Sequence, residues 1–264
     1  MGTIMDKQPT TLDISESFYS VQCEGNTTGY PAYFIRLKAC NLMCGGANGS
    51  LVKEGKATWW CDTEAVWKRG LEKPFYKLIQ QWEHEEIDKW IYEGRIHLIW
   101  TGGEPTIPKH QRSIPAFSKH LEQYVKDEHD IELKTFDEIE TNGTIVIQDE
   151  LFDMLDQINC SVKLANSGME AQRRINPAAI EKMMSHKNYW FKFVISTEEC
   201  LEEIERDFVN KFNIPHDRVM MMPGLDSQKD FHERTKFSLD MAKKYGYIGL
   251  TRLHVSAWDK LTGV

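Results

Sequence analysis

The chain of 264 residues lacks any run near the ~20 apolar residues of a membrane span, so no segment reads as a transmembrane helix. It also lacks a positive balance. Its 32 Lys and Arg stand against 40 Asp and Glu, for a formal net charge of −8. Such a surface repels phosphate backbones, which makes nucleic acid a poor partner while leaving room for a locally basic pocket. There is no Ser/Gly linker, charge block or internal repeat, and one domain spanning 1–264 is the expectation. The first residues, MGTIMDKQPTTLDISE, have no apolar stretch like that of a signal peptide. Asp6 stands where a myristoylation signal at Gly2 needs Ser or Thr. The chain therefore reads as cytosolic. Six cysteines in a chain this long do not make a disulfide framework, and clustered cysteines in a reducing compartment more often serve metal or chemistry. The Asn-x-Ser/Thr matches at Asn26, Asn48 and Asn142 then read as chance.

What is present is ordinary globular composition, 41% hydrophobic and 27% charged, in alternating strand-like and helix-like segments. Short apolar runs at 32–37, 96–100, 138–141, 160–164, 190–195 and 219–222 predict strands. Helical spacing covers 63–91, 113–125, 198–212 and 230–245. That alternation predicts an α/β domain with a mostly parallel sheet. An N-terminal hairpin is expected from 18–22 and 32–37. Turn-rich segments follow the strands at 40–44, 101–106, 142–144 and 161–168. In parallel α/β folds ligands bind at the carboxyl ends of strands, so these segments point to one composite site.

Cys40-Asn-Leu-Met-Cys44 and Cys61-Asp62-Thr63 form the first constellation. Three thiolates reaching one point can hold three irons of a cubane and leave the fourth open. A structural zinc site wants four ligands, and no His or fourth Cys lies nearby in sequence. Three unrelated buried cysteines are the third reading. Spacing alone leaves all three open. The second constellation is Thr101-Gly-Gly-Glu-Pro-Thr106, directly after a strand. Its glycines let backbone approach a ligand closely, and Glu104 can accept from an ammonium group. A plain strand-to-helix turn is the bland reading. The missing Gly-Lys-Ser/Thr ending excludes a Walker phosphate loop.

Together these segments resemble the radical S-adenosylmethionine (SAM) superfamily. The resemblance narrows with Gln22-Cys-Glu24-Gly25, Phe34-Ile-Arg36-Leu37, Trp60-Cys61-Asp62-Thr63, Glu140-Thr-Asn-Gly-Thr144, Ser161-Val-Lys163 and Arg252-Leu-His254, in that order. From about Phe18 to the C-terminus the chain is similar to the 7-carboxy-7-deazaguanine synthases. That family implies a partial, open (β/α) TIM-like barrel. It implies a 4Fe–4S cluster on Cys40, Cys44 and Cys61, SAM on the fourth iron, and Mg²⁺ at Thr63. Around SAM it places Trp60, Asp62, Gly102, Gly103, Glu104, Ser161, Lys163, Met222 and Pro223. Around the substrate it places Gln22, Cys23, Glu24, Arg36, Thr101, Glu140 and His254, with the carboxylate of Val264 closing over it.

The implied reaction converts 6-carboxy-5,6,7,8-tetrahydropterin to 7-carboxy-7-deazaguanine with loss of ammonia. A 5′-deoxyadenosyl radical takes hydrogen from C6. The implied partners are the pterin and a flavodoxin-like reductant, and a homodimer is allowed for, although the sequence itself does not give the oligomeric state. Taken singly, each residue has a plainer role. Arg36 reads as an ion-paired residue, Thr63 as a helix cap and His254 as a strand histidine. The chain departs from the family in four places, one of them Met222-Pro223-Gly224, which lacks the acidic residue that often follows the Pro. Residues 45–58 are an insertion between the second and third cysteines, expected as an exposed excursion. Cys23 replaces Gly, and Val162 replaces the Pro of Ser-Pro-Lys. Cys160 and Cys200 read as core. Two rivals stand beside this reading: a radical SAM activase that makes a glycyl radical on a partner protein, and a non-enzymatic zinc-binding module.

Overall fold

The computed structural model describes residues 8–225, 227–261, 263 and 264. The myristoylation test above, on Gly2 and Asp6, lies outside the described residues. Nine strands form one sheet. They are β1 Thr11–Val21, β2 Pro31–Leu37, β3 Leu71–Pro74, β4 His97–Gly102, β5 Asp137–Thr141, β6 Gln157–Cys160, β7 Tyr189–Ile195, β8 Val219–Pro223 and β9 Ile248–Gly249. Their spatial order is β3-β1-β2-β4-β5-β6-β7-β8-β9. β1 pairs antiparallel with β2 and β3, and every pair from β2 through β9 is parallel. The expected hairpin is therefore present, although β1 starts at Thr11 rather than near Phe18 and carries an irregularity between Ile14 and Glu16.

The helices fall mainly in the crossovers. They are α1 Ser50–Lys53, α2 Glu64–Trp67, α3 Phe75–His84, α4 Asp88–Tyr92, α5 Pro108–His129, α6 Asp149–Met154, α7 Ala171–Arg174, α8 Pro177–Met184, α9 Glu199–Ile204, α10 Asn210–Phe212, α11 Phe231–Tyr245 and α12 Leu253–Trp258. No helix among the described residues is long and apolar enough to cross a membrane. α3 buries Phe75, Leu78, Ile79 and Trp82, one stripe at helical spacing. α5 opens on Pro108, whose fixed φ suits a first turn, and buries Ile114, Phe117, Leu121 and Val125. Trp82 and Trp100 meet Phe117 edge-on at 5.8 Å, and Tyr33 meets Trp82 at 5.5 Å. Such pairs add about 0.5–1.5 kcal/mol each beyond burial.

Side chains alternate across a strand, and here the two faces differ in kind. In β2 Tyr33, Ile35 and Leu37 enter the apolar core, while Phe34 and Arg36 line a cavity. In β7 Phe191, Phe193 and Ile195 are core, while Lys192 and Val194 line the cavity. Glu138, Gln157 and Asn159 share the polar face. Thr27, Gln157 and Asn159 donate to Glu138 Oε2 at 2.8, 3.0 and 3.1 Å, and His97 Nδ1 lies 2.6 Å from Oε1. This network satisfies a fully buried carboxylate. It also holds the turn after β1, because Thr27 belongs to that turn and Tyr30 stacks on His97 at 4.9 Å.

Four expectations need correction. The strand expected at 160–164 is β6, Gln157–Cys160. Its inward residues are polar, which hid it, while Val162 and Leu164 are buried in the loop beyond. The helix expected over 63–91 breaks at Gly70, where β3 pairs with β1, and again at Glu86, whose φ is +58°. His254 lies on α12 and not on the last strand. Finally, 45–58 is not a free excursion. Gly45 N–H donates to Ser167 O at 2.8 Å, Thr58 N–H donates to Asn166 O at 2.9 Å, and Leu51 packs with Leu42, Cys44, Met169 and Trp59. Residues 47–48 and 53–56 are exposed, while Gly45 and Gly49 bring the backbone onto Trp60.

The loops after β2 and β4 touch backbone to backbone. Gly103 N–H donates to Leu37 O and Glu104 N–H to Ala39 O, at 2.9 and 2.8 Å. A Cβ on Gly103 would stand 1.7 Å from Ala39 O, which only main-chain movement could relieve. We expect Gly103→Ala to cost more than about 3 kcal/mol in urea denaturation. A cost within about 1 kcal/mol would show that these two loops part freely.

Candidate active site

Everything the sequence nominated comes together. One cavity of about 620 Å³ is lined by all of the predicted cluster, SAM, Mg²⁺ and substrate residues. Cys40 and Cys44 lie on the loop after β2. Cys61 returns to them through its N–H, which donates to Cys44 O at 3.2 Å. Burial raises the Cys40 thiol to about 12 and the Cys44 thiol to about 11, and the neighbouring Cys61 adds to both. Two buried thiols that resist ionising, with the Cys61 thiol beside them, suit a strongly cationic group that holds all three as thiolates. Among the described residues, no three His, Cys, Asp or Glu side chains could hold a single metal ion. A cubane binds each of three sulfurs to a different iron, so three cysteines on one cavity fit a cluster, whereas structural zinc wants a fourth ligand. Cys160 and Cys200 are 1% and 4% exposed members of the core, as expected.

The Gly-Gly-Glu-Pro turn has a structural duty beyond ligand approach. Gly102, with φ at +106°, would drive a Cβ to 2.3 Å from Leu37 N. The Glu104 carboxylate is fully buried. Oε1 accepts from Thr106 N, Thr106 Oγ1 and Thr141 Oγ1 at 3.0, 2.6 and 2.7 Å, and Oε2 accepts from Asn142 N at 2.7 Å. Glu104 thus joins the rims of β4 and β5. Ser161 and Lys163 lie just beyond β6, where Lys163 Nζ donates to Ser161 Oγ at 2.8 Å and sits 5.7 Å from the Trp59 ring. Thr101 is the penultimate residue of β4, and Met222 and Pro223 end β8, on the same rim.

Thr63 occupies the N-cap position of α2, but its side chain makes no cap bond. Its hydroxyl instead lies 3.3 Å from Cys61 Sγ. A cavity hydroxyl beside the thiols fits Mg²⁺, which keeps several waters and takes few protein ligands.

Charge fills the rest of the cavity. Glu24 receives Lys192 Nζ at 3.0 Å and Arg252 Nε at 2.8 Å, and His254 Nδ1 lies 4.0 Å away. Burial pushes the Glu24 carboxyl up, but Lys192 and Arg252 override this and hold it well below its usual range. Arg252 also pairs with Asp62 and with Leu225 O. Lys192 donates to Glu140 Oε2 at 2.9 Å, yet burial still lifts the Glu140 carboxyl to about 7. Glu140 Oε1 and Gln22 Nε2 are buried without a partner among the described residues. Both residues line the cavity, and an unsatisfied buried acceptor and donor are groups a ligand can partner.

Arg36 Nε faces Glu16 Oε2 at 3.2 Å, and its guanidinium carbon lies 5.4 Å from the Phe18 ring, which stacks on Phe34 at 5.2 Å. Cys23 does not crowd this space, because its thiol turns back to Val21 O at 3.2 Å. Val264 O accepts from Ser20 Oγ at 2.5 Å, bringing the C-terminus onto β1.

Sequence reasoning missed Lys192, Arg252, Phe18, Phe34 and Asn142 as cavity residues. A lone Lys in the apolar run Trp190–Ile195 was the available signal for the first. Asn142 is buried.

Two outcomes follow from this geometry. Replacing Cys40, Cys44 or Cys61 by Ala should abolish the ~400 nm absorbance and most bound iron, while Cys160→Ala and Cys200→Ala should keep both. Full iron and sulfide in Cys61→Ala would overturn the cluster assignment. Thr63→Ala should leave stability within about 0.5 kcal/mol, because no cap bond is lost, and should abolish Mg²⁺ stimulation of turnover. A loss of about 1 kcal/mol with Mg²⁺ dependence intact would make Thr63 a cap after all.

No protein-family model matches the chain. It is 30% identical over 251 residues to the 7-carboxy-7-deazaguanine synthase of Pyrobaculum aerophilum, covering 95% of this chain and 96% of that protein. The enzyme of the same name from Hyperthermus butylicus is 27% identical, covering 85% and 82%, and that from Aquifex aeolicus is 25% identical, covering 90% and 89%. The crystal structure of QueE from Escherichia coli superposes with a TM-score of 0.61 at 19% identity, covering 92% of this chain and 95% of that one, a likeness of fold. A relative 30% identical along nearly its whole length, in a chain whose three cysteines and Gly-Gly-Glu-Pro turn line one cavity, establishes that the chain belongs to the 7-carboxy-7-deazaguanine synthase family.

Proposed function

We propose that the chain converts 6-carboxy-5,6,7,8-tetrahydropterin to 7-carboxy-7-deazaguanine with loss of ammonia, in a partial, open (β/α) barrel whose cluster loop carries 45–58 as an insertion. The observation that carries this reading is a single cavity in which the three thiols share walls with Gln22, Glu24, Arg36 and Glu140. A glycyl-radical activase needs the thiols but has no use for that polar set.

Cys40, Cys44 and Cys61 hold the cluster. Trp60, Asp62, Ser161, Lys163, Met222 and Pro223 border SAM. Because the Glu104 carboxylate is committed to Thr106, Thr141 and Asn142, the SAM ammonium falls to the main-chain carbonyls of 102–104. Bound together, cluster and SAM supply a one-electron cleavage that yields a hydrogen-abstracting radical, which is chemistry no side chain can perform.

The chain's own residues bind and orient. The Phe18–Phe34 pair offers an aromatic face to a flat ring. Arg36, steadied at Nε by Glu16, turns its remaining fork to the substrate carboxylate. Gln22 donates through its unpartnered amide, Glu24 and Glu140 accept ring N–H groups, and Thr101 and Cys23 complete the wall. Burial lowers the pKa of His254, so its imidazole is neutral at pH 7 and able to take a proton. Thr63 holds Mg²⁺ beside the substrate, and the Val264 carboxylate closes the mouth. An external one-electron donor of flavodoxin type and a homodimer belong to the same reading.

The test is anaerobic turnover of C6-deuterated carboxypterin by reconstituted enzyme. Deuterium should appear in 5′-deoxyadenosine and ring-contracted product should accumulate. Arg36→Ala should lose roughly 2–5 kcal/mol of binding or transition-state stabilisation, because a substrate carboxylate there would lack its partner. Brisk SAM cleavage with neither deuterium transfer nor product would make the activase the better reading.

A further inference from the structure

Lys192 interrupts the apolar run of β7, and nothing in the family resemblance gives it a task. Its side chain is 4% exposed, and an ammonium buried that deeply requires partners. It has two, Glu24 Oε2 at 3.0 Å and Glu140 Oε2 at 2.9 Å, carried on the turn after β1 and on β5. The charged groups around this pair come from every neighbouring element. Arg252 and His254, from the C-terminal segment, face Glu24. Glu24 and Glu138 face Glu140 with like charge. Lys192 is the cation that Glu140 has among them.

We propose that Lys192 is a positioning residue for the substrate. By bridging Glu24 and Glu140 it favours the ionised form of both carboxylates and fixes their other oxygens, Glu24 Oε1 (which also accepts from Arg252) and Glu140 Oε1, as one paired acceptor for the adjacent N–H donors of a 2-aminopyrimidinone edge. This rests on the reading of Glu24 and Glu140 as substrate groups. Two carboxylates that share a site without a cation retain a proton between them. The protonated member then presents a donor to the ligand's donors, and the match is lost. Glu140 is the member that takes the proton, since it already titrates near 7 with Lys192 in place. An acceptor role requires pH above that value. The acidic limb of kcat/KM should therefore lie near neutrality in the native enzyme and move upward without Lys192.

The experiment measures kcat and KM for the carboxypterin between pH 6 and 9.5 on anaerobically reconstituted native enzyme, Lys192→Met and Lys192→Arg. Cluster absorbance and thermal melting serve as controls for folding. Lys192→Met should lose about 100-fold in kcat/KM at pH 7, mostly through KM, and its limb should rise by about one pH unit or more, so that the loss shrinks about tenfold by pH 9. Lys192→Arg, which keeps the charge, should hold the native limb and stay within about tenfold. A Lys192→Met profile parallel to the native one, or a Lys192→Arg limb moved as far as that of Met, would leave Lys192 a packing residue and overturn the proposal. Should Lys192→Met fail to fold, the Lys192→Met/Glu140→Gln double variant removes one carboxylate along with the cation. It should fold and show no limb, and a limb that persists there also overturns the proposal. Native enzyme that does not turn over the carboxypterin at all refutes the proposed function itself. Native turnover with parallel variant profiles refutes only the role of Lys192.

Discussion

The Glu24 carboxylate, gripped by Lys192 on one oxygen and Arg252 on the other, is the contact around which the cavity closes. Taking a carboxylate out of water costs several kcal/mol unless cations compensate it, so Glu24 holds its place only when both partners are present. Those partners lie 168 and 228 residues away in sequence. The turn after β1, strand β7 and the C-terminal segment are therefore fixed by one another. Arg252 extends the linkage to Asp62, next to Cys61, and so couples the substrate walls to the cluster loop. The same turn is pinned again through Thr27 to Glu138, deeper in the sheet's polar face. A parallel sheet ordinarily buries apolar side chains on both faces. This one gives up one face to charge, and it can do so because each charge has a partner.

The cluster ligands come from loops, which are the least constrained parts of a fold, and the rim is built to restrain them. Gly102 and Gly103 let the loop after β4 lie against the main chain of 37–39, so the turn that carries Cys40 cannot drift from the strand ends. Glu104 secures the next loop by accepting from Thr141 and Asn142. The segment 45–58 fits this arrangement. The buried Glu64 carboxylate accepts from Asn48 N–H at 3.0 Å, which ties the segment to α2 directly behind Thr63. A long segment between two ligands adds little closure entropy, and its packing against 165–169 makes it part of the wall around Cys44.

The parts of the site legible in the sequence were those whose chemistry is written in consecutive residues. Cys40, Cys44 and Cys61, the Gly-Gly-Glu-Pro turn, and Glu24 or Arg36 beside a strand each announce a role locally. Their convergence followed from the strand–loop order, since parallel strands present their carboxyl ends on one rim. Lys192 and Arg252 were less visible because their roles depend on partners more than 150 residues away. β6 was misplaced because Gln157 and Asn159 point into a polar network, which removes the apolar signal that marks a strand. The last strand and α12 were confused because a two-residue β9 carries no periodicity. The excursion at 45–58 was misjudged because glycines signal turns without saying whether the turn meets water or a tryptophan.

One ammonium between two carboxylates leaves an imbalance, and its direction is informative. Glu24, held below its ordinary value, contributes stability that is present above the unfolded carboxyl range and is lost as pH falls through its folded value. Glu140, raised to about 7, does the reverse: its contribution is full below its ordinary 4.5 and is lost as pH rises toward 7. Arg252 explains the asymmetry, because it reaches Glu24 and not Glu140. Glu140 Oε1 is left buried and unpartnered among the described residues. A ligand that brings an N–H to that oxygen supplies the compensation the fold withholds. Its binding would lower the Glu140 pKa and strengthen the Lys192 bridge on which Glu24 also depends. Ligand recognition and closure of the β1 turn would then draw on the same interaction.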